Sequence, residues 1–395
     1  MTKHDMENPD SMVDLDARIA ENLRFGSVYL PDKGLHFIAT PKAACTAIKW
    51  WLANLESADW SLVNGLDSME SEPSLRIHDL LQRALPHAVS KDIPALFDAC
   101  ADPKVFRFAF VRNPYTRAFS GWLSKLAVQE AEQIGNYREA AFARMPLRNR
   151  EEVRQAFEAF LQYLLESEAP DRWKDPHWIP QTLLLRSDRI HYSQIFPVEE
   201  MAAAMQTLTN KLNSQGLTAV PTLGRYNESL FPYARSYLTE QSIALIRQLY
   251  ASDFQAFGYD PEIVPAGKAF PDAVLEGILT TLPRIVGRNQ SLGDLQAILQ
   301  EGRIALQSAR QELQCARLEL RSTQETVRLQ WQTIEDHMKE EERLQWIINN
   351  KQEEIQRITQ SRSWRITRPM RVMATFLRGV RQRVRDFTKK SGKER

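Results

Sequence analysis

Apolar positions along the chain fall into two kinds of pattern. Short, nearly continuous runs come first. Leu35-His36-Phe37-Ile38-Ala39, Lys104 to Arg112 (KVFRFAFVR) and Ile190 to Val198 are rich in β-branched and aromatic residues and have the length of buried strands. Between them lie stretches with helical spacing. Small residues from Ala43 to Ala47 lead into Ile48-Lys49-Trp50-Trp51-Leu52, and Tyr115 to Leu126 follows Pro114, a residue suited to a first helical turn. Residues 149–167 place Val153, Phe157, Phe160 and Leu164 on one face. Further helices are predicted from Glu199 onward and over Thr239–Phe257. Strands alternating with helices predict an α/β class with a parallel sheet flanked by helices.

The second pattern starts beyond Pro261. Residues 263–293 read as a linker, and then a seven-residue lattice begins. Leu299, Leu306, Leu313, Leu320, Val327, Ile334, Ile348 and Ile355 occupy it, with Glu341 the polar exception. Ala309, Ala316, Leu344 and Ile358 sit three residues later in their heptads, and Thr323, Gln330, His337 and Lys351 interrupt them. Residues 294–360 are therefore expected to form a long coiled-coil helix that makes a homo-oligomer. In residues 361–395, Ile366, Met370, Met373, Leu377, Val380, Val384 and Phe387 recur at spacings of four and three, with arginines between them. This predicts a basic amphipathic tail able to lie on an anionic membrane surface, in preference to nucleic acid.

Charge sharpens that division. The 395 residues carry a net charge of +1, yet residues 361–395 hold twelve Lys or Arg against Asp386 and Glu394. Cys45, Cys100 and Cys315 are widely separated and match no metal-ligand spacing, which suggests a reducing compartment. Residues 1–25 read as a polar lead-in with no secretory core, and no apolar run has the length of a membrane span. The expected location is cytoplasmic, peripheral at the inner membrane face.

The chemistry concentrates where strands end. After the first strand come Thr40 and Pro41, then Lys42 and the small residues Ala43, Ala44, Cys45, Thr46 and Ala47. A tight turn into a helix N-terminus leaves N–H groups unpaired and favours an anion, and small side chains let a phosphate approach the backbone. Lys42 adds a cation and Thr46 a hydroxyl. The lysine precedes the small residues, so this is not the GxxxxGK[ST] phosphate loop. The second strand ends at Arg112-Asn113-Pro114, a natural second anion contact, with Ser120 near the second turn of the next helix.

Taken in order, these segments resemble the sulfotransferase family, specifically the carbohydrate sulfotransferases that use 3′-phosphoadenosine-5′-phosphosulfate (PAPS). Pro41-Lys42-Ala43-Ala44-Cys45-Thr46 is similar to the family's PKxxCT loop. Phe110 to Trp122 is similar to its FVRxPxxRxxSxY motif, with Gly121-Trp122 replacing a small residue and a tyrosine. Asp175-Pro176-His177-Trp178-Ile179-Pro180-Gln181 and the Asp253-Phe254 to Gly258-Tyr259 ending resemble further family segments. The likeness covers roughly residues 25–260, which gives a sulfotransferase domain of 26–262. Ser363 to Pro369 resembles tails attached to bacterial surface-polysaccharide enzymes.

The resemblance implies a P-loop-like fold and specific roles. The backbone from Ala43 to Ala47, with Thr46, would hold the 5′-phosphosulfate, and Lys42 would meet the departing phosphate. Arg112 and Ser120 would bind the 3′-phosphate, and Arg117 would assist or brace the loop. The acceptor would be a hydroxyl of a carbohydrate or glycolipid, and no metal is demanded. A base is still needed: His177 is the first choice and His78 the second, while His36, inside a strand, reads as structural. Two other classes remain: a nucleotide-dependent kinase with a variant phosphate loop, and a non-catalytic coiled-coil scaffold.

Overall fold

The computed structural model describes residues 24, 26–63, 68, 70, 72–88, 102–135, 137–168, 171–226 and 229–391. The lead-in (apart from Arg24), Cys100 and the loop residues Asn227 and Glu228 lie outside the described residues.

Strand β1 (Ser27–Leu30) turns through Pro31–Lys33 and Gly34 into β2 (Leu35–Ile38). Gly34 closes the turn at φ 54°, a left-handed conformation that glycine adopts without a Cβ penalty. Helices α1 (Cys45–Leu55) and α2 (Ile77–Ala84) follow, then β3 (Phe106–Val111). Helix α3 (Pro114–Trp122) starts at the expected proline, with Asn113 capping Tyr115 N–H, and runs on into a π-helical turn, Leu123–Ala127. Helices α4 (Arg150–Glu166) and α5 (Gln181–Leu185) precede β4 (Gln194–Pro197). Helices α6 (Met201–Ser214), α7 (Glu240–Leu249) and α8 (Ala251–Phe257) follow. The single helix expected over Thr239–Phe257 is broken at Tyr250, whose φ and ψ of −118° and 25° are not helical.

The sheet order is β1-β2-β3-β4. The β2–β3 and β3–β4 pairs are parallel, as expected, but β1 is antiparallel to β2. The wholly parallel sheet is thus corrected to a mixed α/β sheet: three parallel strands plus a hairpin edge. The tight β1–β2 turn allows only an antiparallel return. One apolar cluster covers the sheet with α1, α2 and α6 through Phe37, Trp51, Leu52, Phe108, Phe110 and Leu208. A larger one joins α3, α4, α7 and α8 through Phe119, Trp122, Phe157, Phe160 and Ile246.

The chain divides after Glu301 into two compact units. In the first unit, the expected linker is helical from Asp272, where α9 (Asp272–Gln360) begins. Its buried Leu275, Leu279 and Leu282 are four and three residues apart and join the larger core. That spacing makes an apolar stripe too short for a heptad pattern to reveal, and it survives Pro283 within the helix. The second unit holds the rest of α9, a helical turn at Arg362–Ile366, and α10 (Arg368–Ser391). Every apolar residue on the main heptad lattice, from Leu299 to Ile355, is between 44% and 60% exposed. No helix among the described residues is long and apolar enough to cross a membrane.

Candidate functional site

The three parallel strands end beside one another, and each end delivers a charged residue to the same place. β2 runs into Lys42, β3 into Arg112 and β4 into Glu199. All three line one cavity of about 1300 Å³. Ala44, Cys45, Thr46, Ala47, Ser120, His78 and His177 line it as well. Of the site residues read from sequence, Ala43 and Arg117 stay out of its lining, and both are buried.

The loop after β2 owes its shape to two left-handed residues that are not glycine. Lys42 has φ 68° and Ala44 φ 60°. Such conformations are uncommon for side-chain-bearing residues and cluster where a backbone has a binding task. Ala44 caps α1 without any side-chain hydrogen bond, and the first turn of α1 carries no acid. The N–H groups of that turn therefore have no capping side chain as an internal competitor, an arrangement that suits an anion.

Lys42 Nζ donates to Ser124 Oγ at 2.7 Å, on the π-helical turn. Burial, reinforced by the positive charge of Lys125, pulls the Lys42 pKa down to about 8. Arg112 reaches back to the loop: its Nη1 donates to the Lys42 carbonyl at 3.3 Å and its Nε to Thr116 Oγ1 at 3.1 Å. Arg117 is buried and braces. Its guanidinium donates to the carbonyls of Pro41, Ile179 and Pro176 at 3.1, 2.8 and 3.3 Å, tying the first loop to the Asp175–Gln181 loop.

The Asp175–Gln181 loop carries two devices. His177 shares a 2.6 Å hydrogen bond between Nδ1 and Asp175 Oδ1. Burial works to raise the pKa of Asp175, but the His177 charge and hydrogen bonds outweigh it and hold the carboxylate down. An ionised carboxylate can only accept, so the His177 proton sits on Nδ1 and Nε2 keeps its lone pair. Burial lowers the His177 pKa in spite of Asp175, which keeps the ring neutral near pH 7. At the far end of the loop, Gln181 accepts from Arg112 N–H and donates to the Arg112 carbonyl, both at 2.9 Å. Asp253, on α8, in turn accepts from Gln181 N–H at 2.8 Å and Thr182 N–H at 2.9 Å.

His78 is held differently. Its Nε2 meets Thr46 Oγ1 at 2.9 Å and its Nδ1 meets Lys49 Nζ at 3.3 Å, so both ring nitrogens are engaged. Burial, then the Lys49 charge, keeps its pKa well below the usual histidine value. His36 is fully buried between Ser27 and Arg107 and is pushed down to about 3 by burial and then by Arg107, which fits the structural reading.

Gly121 explains one departure from the family pattern. A Cβ there would lie 3.3 Å from the His177 carbonyl oxygen and 3.9 Å from Lys42 Cγ, so the missing side chain lets both loops close in. Trp122 turns away into the core against Phe119 and Phe157.

A model of the sulfotransferase family matches residues 26–260, more than half of the chain. The chain belongs to the sulfotransferase family. No curated protein and no solved structure is similar enough to match it. The matched span of this sulfotransferase contains all three strand ends, the Lys42 loop, the Arg112–Ser120 helix and the His177 loop.

Lys49, Lys125, Glu199, Gln181 and Asp253 were not picked out from sequence as functional. Lys49 and Lys125 add positive charge to the cavity, and Lys125 pairs with Glu130 at 2.5 Å. Glu199 accepts from Asn113 N–H at 3.0 Å and from the Tyr259 hydroxyl at 2.9 Å, fixing the start of α3. Gln181 and Asp253 both lie in family-like segments, and that was their only signal in the sequence. Among the described residues, no three His, Cys, Asp or Glu side chains gather as a metal site.

Proposed function

We propose that this sulfotransferase moves a sulfuryl group from PAPS to a hydroxyl of a carbohydrate or glycolipid acceptor. The observation that carries this reading is the shared cavity, which Lys42 and the open N-terminus of α1 line together with Arg112 and Ser120. An adenosine carrier with a 5′-phosphosulfate and a 3′-phosphate needs cationic and N–H donors for both anionic groups. The N–H groups of Cys45 to Ala47, with Thr46, hold the phosphosulfate, while Arg112 and Ser120 hold the 3′-phosphate.

Transfer breaks the bond between sulfur and the bridging phosphate oxygen and forms one from sulfur to the acceptor oxygen. Charge builds on the leaving phosphate, where Lys42 and the helix N-terminus neutralise it. The acceptor proton passes to His177 Nε2, with Asp175 steadying the imidazolium as it forms. His78 is disfavoured as the base, because Thr46 and Lys49 occupy its ring. Positioning supplies much of the rest of the rate.

The exposed heptad lattice supports a coiled-coil homo-oligomer. α10 exposes Met370, Val372, Met373, Phe376 and Leu377 between its arginines, which supports attachment to an anionic membrane surface. Both features favour a cytoplasmic enzyme working at the inner membrane face.

Calorimetry with adenosine 3′,5′-bisphosphate and with ATP plus Mg²⁺ tests the donor. The bisphosphate binds and ATP does not; the reverse result would favour the kinase reading. Lys42→Ala and Arg112→Ala each abolish transfer of labelled sulfate. Unchanged turnover in both would refute the assignment and leave a scaffold role.

A further inference from the structure

A second cavity, of about 340 Å³, adjoins the first. It shares Leu75, Lys125, Ser229 and Leu230 with it, and it is also lined by Ser124, Glu72, Ser74, Ile285, Arg288 and Asn289. Its inner end lies at the reaction centre, since Ser124 is the residue on which Lys42 Nζ rests. Ile285, Arg288 and Asn289 in this lining belong to α9, beyond the span that matches the family model.

Two features show that this groove is built. The π-helical turn Leu123–Ala127 brings the consecutive residues Ser124 and Lys125 onto one wall, a local distortion of the kind found at functional sites. α9 is pinned against the end of that turn: Asn289, 2% exposed, donates to the Val128 carbonyl at 2.8 Å, and Gln290 donates to Gln129 Oε1 at 2.8 Å.

The charges within the groove cancel in pairs. Lys125 faces Glu130 at 2.5 Å, and Arg288 faces Glu72 at 3.0 Å. What remains to meet a ligand is the hydroxyls of Ser74 and Ser229 beside the apolar Leu75, Leu230 and Ile285, while Ser124 Oγ already takes the Lys42 ammonium. Hydroxyl and apolar contacts within one groove suit a pyranose chain. The absence of uncompensated charge suits a neutral chain better than a carboxylated or sulfated one.

The geometry points to this groove as the acceptor channel: it takes the sugars that flank the reacting one in a neutral oligosaccharide, and Ile285, Arg288 and Asn289 of α9 line it. This inference rests on the sulfotransferase reading. It deepens that reading by naming an extended neutral glycan, in place of a single sugar or an acidic polymer, as the acceptor class.

Labelled sulfate transfer by the full chain tests it, with neutral hexose and N-acetylhexosamine tetramers, their monomers, and a tetragalacturonate. The best neutral tetramer exceeds its monomer in kcat/KM by about tenfold or more, as remote binding energy is realised in the transition state. Ile285→Trp and Ser74→Trp, both in the groove lining, each lower the tetramer-to-monomer ratio. Titration with adenosine 3′,5′-bisphosphate shows in each variant that the donor side is still built. The inference is overturned by tetramers no better than monomers, by a preference for tetragalacturonate, by acceptance of no neutral tetramer, or by ratios unmoved in both variants. Failure of the wild-type chain to bind the bisphosphate would instead overturn the reading beneath it.

Discussion

Gln181 holds Arg112 by its backbone and leaves the guanidinium to the cavity. The side-chain amide satisfies both the Arg112 N–H and its carbonyl, each at 2.9 Å, across 69 residues of sequence. Asp253 then fixes Gln181. The guanidinium proposed to read the 3′-phosphate is therefore aimed by two residues that are not among those lining the cavity.

Gln181→Leu leaves the Arg112 N–H and carbonyl without this partner, while the backbone N–H of residue 181 still reaches Asp253. Two buried polar groups deprived of partners cost about 2–4 kcal/mol. Denaturant unfolding should show that loss, and bisphosphate affinity should fall as Arg112 loses its aim. Wild-type stability together with wild-type affinity would contradict the role assigned to Gln181.

Lys42 should cost stability near neutral pH. Its pKa falls from 10.5 unfolded to about 8 folded, so the unfolded chain binds the proton more tightly. The penalty is complete below about pH 8 and is relieved as pH rises from there toward 10.5. Lys42→Met should therefore raise Tm at pH 7, by about 2–4 °C per kcal/mol recovered, and the gain should shrink by pH 10. Transfer in the same variant should drop by at least 10²-fold, about the cost of removing one group that stabilises transition-state charge.

The pH profile of kcat/KM should be a bell. The alkaline limb falls near pH 8, as free-enzyme Lys42 loses its charge. The acid limb lies below 6.5, because burial lowers His177. His177→Gln should flatten the acid limb and cut kcat by about 10²–10⁴-fold, the usual worth of a general base. Asp175→Asn should move that limb and lower kcat while sparing bisphosphate binding. An acid limb that persists in His177→Gln would assign the base elsewhere.

Sedimentation of the full chain should give an oligomer. Leu313→Glu with Leu320→Glu places charges at two successive lattice positions and should shift the protein toward monomer. A monomeric wild-type chain would remove the coiled coil from the picture.

Removal of residues 361–395 should abolish sedimentation with phosphatidylglycerol-rich vesicles. Binding by the intact chain should weaken sharply at 1 M salt, where the screening length shrinks to about 3 Å. Each Arg or Lys near such a surface contributes about 1 kcal/mol at moderate salt. Equal partitioning with and without the tail would show that α10 serves another purpose.

What the sequence determined by itself was local. Strand runs, the Pro114 helix start, the small residues after Lys42 and the heptads are all encoded within a few residues of one another. Backbone hydrogen bonding and side-chain periodicity act over that range. The Lys42 loop was half-legible as an anion site because a strand end meets a helix start there, whereas Arg112 and Ser120 were assigned a binding role only by the resemblance of Phe110 to Trp122 to the family motif. Only the tertiary structure decided matters that join distant segments. It set β1 antiparallel at the sheet edge and gave Arg117 a bracing role through three carbonyls. It engaged His78 with Thr46 and Lys49 while leaving Nε2 of His177 open, and it turned the expected linker into a helix against the core. Each of these depends on which groups are left unpaired once the sheet and helices pack, and that is settled by burial, not by the order of neighbouring residues.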